Sequence, residues 1–272
     1  MKASALVHLG AAGSIAAAPH AWPWIAGAVI ADHIVLAGSG LAPRSTWLGP
    51  NLTRLPPSAA RRGCYALTID DGPDPQVTPR VLEQLAERGA RATFFCIGER
   101  VARFPDLARE IVRRGHAVEN HSQRHLHRFS LLGPGAIARE IAEAQATIGR
   151  VCGSSPRFFR APAGLRSPLL EPQLARLGLK LASWTRRGFD SVSRDAEAVL
   201  SRLTRGLTGG DILLLHDGGA ARTLAGRPVI LEVLPRLLDA AARAGLAPVI
   251  LRAACDGIQC ALGAEEPELS VK

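Results

Sequence analysis

From about residue 63 onward the chain alternates short apolar runs with amphipathic stretches, and that alternation restricts the fold more than any other feature. The apolar runs lie at 65–70, 92–97, 117–120, 158–161, 180–185, 211–216 and 247–251, each four to six residues long. That is the length of a strand buried on both faces. Between them, 78–88, 105–114, 133–151, 167–177, 195–207 and 228–244 show the apolar spacing of helices packed on one side. Strict strand-then-helix order needs crossovers between parallel strands, so the chain is expected to form a barrel or an open doubly wound sheet. No repeat with a period of roughly 20 to 50 residues is evident, which argues against a solenoid.

Polar residues break this pattern where strands give way to loops. Asp70 and Asp71 follow the first run, His121 and His125 the third, Arg160 the fourth, Asp190 the fifth, and His216 ends the sixth. In a parallel barrel those ends converge on one face, where such folds carry their active sites. Each residue alone has a bland reading: Asp71-Gly72 is turn chemistry, and a lone histidine is commonly a satisfied structural residue. Five strand ends coinciding is a different matter.

The stretch "LTIDDGPDP" at 67–75 is the sharpest case. Adjacent carboxylates repel, and neighbours on a strand point to opposite faces, so the two acids are expected to do two jobs. "HSQRH" at 121–125 sets two imidazoles four residues apart, which on a helical turn would share a face and a common ion. His116 and His127 make this stretch rich in histidine anyway, so a plain polar loop stays open as the alternative. One added carboxylate completes the three protein ligands of an open, water-bearing catalytic site. One member of the Asp pair would then bind metal while its neighbour takes a proton from the bound water.

Taken in order, "TIDDGP", "HSQRH", "RAPAG", the Asp within "WTRRGFDS", and "LLLH" resemble the NodB-homology polysaccharide deacetylases, carbohydrate esterase family 4. The resemblance covers about 63–254, leaving 1–60 as an apolar N-terminal extension and 255–272 as a C-terminal tail. It implies a distorted (β/α) barrel of about seven parallel strands, the number of runs counted above, with an apolar helical extension in front. It implies that Asp71, His121 and His125 hold a divalent metal, that Asp70 is the general base oriented by Arg160, and that His216 is the general acid tuned by Asp190. The implied reaction is hydrolytic removal of an acyl group, usually acetyl, from the nitrogen of an amino sugar. The oxyanion would lean on the metal and on the backbone N–H of Ala163, with Leu214 beside the acyl methyl. Two imidazoles and one carboxylate suit zinc first, with cobalt, nickel and manganese as alternatives.

Two departures from the family pattern bear on substrate. Ala163 stands where the family often has Tyr, and Ser191 where a Trp commonly follows the tuning Asp. Both open the pocket, toward a different acyl group or a lipid-linked sugar, unless Trp184, Phe158, Phe159 or Phe189 refills the space. The competing readings are a carbohydrate-binding member that has lost turnover and a magnesium-dependent phosphotransfer enzyme. The first would be expected to lack one of the catalytic residues, and all are present. The second is disfavoured because Mg²⁺ prefers oxygen ligands and no G-x-x-x-x-G-K loop occurs.

Residues 1–60 are rich in Ala, Gly, Leu and Ile and hold three of the four tryptophans. The segment 21–42 has the length a bilayer asks for, but Asp32 and His33 sit near its middle, and a central Asp costs about 2.5–3.5 kcal/mol on insertion scales. A membrane hairpin, a signal peptide and apolar helices packed on the domain are the three readings. Arg44, Arg54, Arg61 and Arg62 follow this segment, and by the positive-inside rule would hold the domain on the cytoplasmic side of a membrane, with export as the alternative. The five cysteines are scattered without a C-x-x-C pair. No disulfide framework is expected, and Cys64 and Cys96 read as small core residues, pointing to a reducing compartment. The net charge of +9 is almost wholly arginine. No basic run with interleaved aromatics accompanies it, so no nucleic-acid partner is expected.

Overall fold

The computed structural model describes residues 2–257. The predicted tail, 255–272, lies outside the described residues from 258 on. Eight strands form one sheet: β1 (Cys64–Asp70), β2 (Thr93–Cys96), β3 (Ala117–Asn120), β4 (Phe158–Phe159), β5 (Lys180–Leu181), β6 (Arg186–Arg187), β7 (Ile212–His216) and β8 (Ala247–Pro248). The order is β5-β4-β3-β2-β1-β7-β6, with β8 paired to the start of β1, and the ladders are parallel. The path is open between β5 and β6 and curls into a distorted half-barrel of seven strands. Each of the seven apolar runs yields a strand. The run at 180–185 yields only Lys180–Leu181, and the ladder resumes at β6, which the polar Arg186-Arg187 pair concealed.

Alternation along β1 builds the two layers. Tyr65, Leu67 and Ile69 face the crossover helices, where they meet Val81, Leu82 and Leu85 of the helix Thr78–Ala86 and Val233, Leu234 and Leu237 of the helix Val229–Arg243. Cys64 and Ala66 face the interior with Phe95, Phe158, Trp184, Ile212 and Leu214. Each large side chain so buried contributes about 1.5–3 kcal/mol, which is why short strands of two to seven residues persist. β1 and β7 run in register, Thr68 beside Leu214 and Asp70 beside His216. The interior face of these two neighbouring strands therefore ends in an acid and an imidazole.

Ahead of the sheet, helix α1 (Lys2–Ala17) packs on helix α2 (Trp22–Leu41). α2 is long and apolar enough to cross a membrane and is mostly exposed. Its Asp32 carboxylate is not left bare: Ser4 donates to it at 2.6 Å and His8 lies 3.7 Å away. The end of α2 is seated on the barrel. Gly40 accepts from the Arg166 N–H at 3.0 Å, and a side chain at Gly40 would stand 2.2 Å from the Arg166 carbonyl oxygen. The segment after α2 belongs to the sheet layer: Leu52 exchanges backbone hydrogen bonds with Leu181 and Ser183, and Leu48, Leu55 and Ala59 are buried.

Cys96, Cys152 and Cys255 carry free thiols, whereas Cys64 is disulfide-bonded. Its place in an apolar strand hid that role, because burial among apolar neighbours suits a thiol and a disulfide sulfur equally.

Candidate active site

The interior face of β1 delivers Asp70, and strand alternation alone would send Asp71 to the helix side. Asp71 instead takes a left-handed conformation, φ 72°, just past the strand end and turns back toward the same cavity. Asp is among the few residues that tolerate that region. Gly72 follows because no side chain fits: a Cβ there would stand 2.5 Å from the Asp217 carboxylate. Asp217 is fully buried behind this loop, and burial pushes its carboxyl up to about 7. It accepts hydrogen bonds from Thr78 Oγ1 and from the Gly218 N–H.

His121 and His125 meet by loop geometry and not on a helical turn. The segment after β3 is irregular, with left-handed residues at Ser122 and His125. Its first turn is held by Asn120 Oδ1 accepting from the Ser122 N–H and Ser122 Oγ accepting from the His125 N–H. A helix would have kept both rings at one radius; the folded-back loop aims both Nε2 atoms at one point. Each lies 3.2 Å from Asp71 Oδ1. His121 Nδ1 lies 2.9 Å from the Arg160 carbonyl oxygen, which fixes the ring with Nε2 toward the cavity.

These three residues fit a divalent cation. Their ligand atoms all lie within 4.8 Å of one another. Asp71 Oδ1 is buried and makes no hydrogen bond, an orphaned acceptor of the kind a cation satisfies. Burial alone would raise the Asp71 carboxyl, but the close imidazole of His121 and the charges of His121, His125 and His216 outweigh it and hold it far below the usual range. Burial, together with His121, lowers His125 to about 4, leaving a neutral imidazole lone pair at ordinary pH.

Arg160 is wholly buried and spends every nitrogen. Its guanidinium donates to Asp70 Oδ1 at 2.7 Å, Thr68 Oγ1 at 2.8 Å, and the carbonyls of Ala182 at 3.2 Å and Ser183 at 2.9 Å. It lies 4.1 Å over the Phe95 ring. The Asp70 carboxylate is thereby held in one orientation. From the turn after β6, Asp190 touches both the ring and the backbone of His216. Burial would strip the proton from His216, yet Asp190, with the charges of Asp70 and Asp71, raises it to about 9.

One cavity of about 310 Å³ is lined by Asp70, Asp71, His121, His125, Ala163, Trp184, Leu214 and His216. Arg160 and Asp190 stand buried directly behind it. His127, Arg187 and Val192 also line the cavity and were not singled out from sequence. The "RR" in "WTRRGFDS" was the available signal, since strand alternation must send its two arginines to opposite sides.

The polysaccharide deacetylase family profile matches residues 58–182. A peptidoglycan-N-acetylglucosamine deacetylase of Bacillus cereus is 32% identical over 196 residues, covering 71% of this chain and 85% of that protein. A chitooligosaccharide deacetylase of Sinorhizobium fredii is 34% identical, covering 70% of this chain and 90% of that protein. Among solved structures, a family 4 carbohydrate esterase from Streptomyces lividans in complex with acetate superposes with a TM-score of 0.62 at 32% identity, over 68% of this chain and 91% of that one. With a family profile, curated relatives and fold in agreement, this chain belongs to the polysaccharide deacetylase family.

Proposed function

We propose that this protein is a metal-dependent N-deacetylase acting on N-acetylglucosamine units of a cell-envelope glycan or lipid-linked saccharide. The observation that carries the reading is the convergence of a three-ligand cluster, a buried carboxylate and a charged imidazole on one cavity. A divalent ion, zinc by the donor set, held by Asp71, His121 and His125 would acidify a water and polarise the acyl carbonyl.

Asp70, oriented by Arg160, takes the proton of the attacking water. His216 sits at the next strand, in register with Asp70, and donates a proton to the departing nitrogen, without which an amine leaves poorly. Asp190 keeps that imidazole charged until it is needed. The backbone N–H of Ala163, in a left-handed turn at the cavity wall, is assigned to the developing oxyanion, and Trp184 and Leu214 bound the space for the acetyl methyl. The relatives named for peptidoglycan and chitooligosaccharides support an N-acetylglucosamine substrate.

The apolar helix α2 is proposed as a membrane anchor or signal. Positive-inside bias would hold the domain in the cytoplasm, but Arg54 is engaged with Asp211 inside the fold, 2.9 Å away. The relative named for peptidoglycan, a wall polymer outside the membrane, supports the opposite side. We therefore assign the domain to the outer face.

The test offers acetylated and formylated amino sugars, free and lipid-linked, to the purified full chain, with and without chelator, and measures the acid released. Acetate release abolished by chelation and restored by zinc is expected. Release that survives complete demetallation, or none from any substrate, overturns the reading.

A further inference from the structure

The twin arginines of β6 have opposite fates. Arg186 is partnered: it pairs at 2.7 Å with Asp211, which it shares with Arg54, and donates to the carbonyls of Arg205 and Gly206. Arg187, in register with Leu214 of β7, faces the catalytic cavity. Among the described residues it has no acidic partner within ion-pair distance, and its Nε is buried without a hydrogen bond. Aromatic faces hold it in place, Phe189 at 4.9 Å and Trp184 at 5.7 Å from the guanidinium carbon. A guanidinium kept half-buried beside a catalytic cavity, with aromatic faces but no acid against it, gives up hydration that only an anion would fully replace.

A second cleft adjoins the first through Trp184 and Arg187, and its other walls are Pro43, Arg44, Thr185 and Phe189. Arg44 donates to the Thr185 carbonyl at 3.2 Å, which leaves the rest of its exposed guanidinium beside Arg187's cleft. Pro43 and Arg44 follow one residue after α2, which ends at Leu41, and the Pro43 carbonyl accepts from Ser183 Oγ at 2.7 Å. The wall of the second cleft is thus the chain leaving the apolar helix, and the two arginines lie where that helix would meet the headgroup layer.

Resting on the deacetylase reading, we propose that Arg187, with Arg44, binds a phosphate ester carried by the substrate sugar, and that the substrate is a lipid-linked glycosyl phosphate presented at the membrane surface. The planar fork of arginine matches phosphate oxygens. The bilayer would bring that phosphate to the height of the α2 exit, while the acylated nitrogen reaches Asp70 and His216.

The full chain in nanodiscs is given three substrates: neutral tri-N-acetylglucosamine, soluble N-acetylglucosamine 1-phosphate, and polyprenyl-phosphoryl-N-acetylglucosamine in the same bilayer. Acetate release gives kcat and KM, and calorimetry gives binding of N-acetylglucosamine 1-phosphate independently of turnover. A KM advantage for phosphorylated substrates is expected, falling roughly 10- to 100-fold in Arg187→Gln, partly retained in Arg187→Lys and reduced in the surface variant Arg44→Gln. Greater efficiency on the lipid-linked substrate supports the membrane source; equal efficiency on the soluble phosphate overturns that part. Equal efficiency on the neutral sugar, or an Arg187→Gln loss shared by all three substrates, overturns the phosphate site while leaving the deacetylase reading intact. Phosphate-sugar binding that depends on Arg187 without any acetate release would support the site and fail the deacetylase reading.

Discussion

Asp190 holds His216 at two points: Oδ1 lies 2.9 Å from the ring Nδ1, and Oδ2 accepts the His216 backbone N–H at 2.7 Å. One carboxylate thereby sets both the charge and the position of the imidazole. Burial opposes the proton, and Asp190 is the strongest influence restoring it, which leaves His216 near 9 against an ordinary 6.5. A general acid works only while protonated, so activity should fall as pH rises through that value. Asp190→Asn removes the charge, lowers the imidazole's pKa, and should move the alkaline limb of the kcat profile to lower pH by on the order of one unit or more. A limb that stays where it was in the variant would remove His216 from the acid role.

Asp70→Asn leaves all three proposed metal ligands untouched. Metal content by elemental analysis should stay near that of the parent, while kcat falls by about 10²–10⁴, the usual share of general-base catalysis. Joint loss of metal and rate would mean that the two aspartates have exchanged roles.

Arg160→Met tests the buried pair from the other side. Removing the guanidinium strands the buried Asp70 carboxylate without its 2.7 Å partner. Breaking one member of a buried pair costs about 3–5 kcal/mol, so the unfolding free energy from denaturant titration should shift by that much. A shift below about 1 kcal/mol would place the pair in the class of weak surface bridges.

His125→Ala removes one imidazole from the cluster around Asp71 Oδ1. Metal occupancy should drop well below one equivalent, and acetate release with it, with partial recovery at high added zinc. Full occupancy in the variant would exclude His125 as a ligand.

The boundary between the extension and the catalytic domain is proposed near residue 42. Removing residues 2–38 should release the protein from vesicles and leave a folded domain. Removing residues 2–60 also takes Leu52, Leu55 and Ala59 out of the sheet layer. Burial at about 1.5–3 kcal/mol per large side chain makes that deletion severely destabilising. Equal thermal unfolding midpoints for the two deletions would refute the assignment of 43–60 to the domain.

The strand-and-helix alternation, the parallel sheet and the clustering of polar residues at strand ends were all legible in the order of residues, because burial and backbone periodicity are local and act through near neighbours. The pairing of Asp70 with His216 follows from the same periodicity once β1 and β7 are placed side by side. What linear order could not supply was the orientation of Asp71, the folded-back loop that joins His121 to His125, and which of Arg186 and Arg187 finds an acidic partner. Each depends on where a left-handed residue turns the chain or on which neighbour meets a charge: Asp211, 25 residues beyond Arg186, pairs with one guanidinium, and among the described residues no acid pairs with the other. Such choices are made by contacts between segments distant in sequence, so they exist only after the sheet has assembled.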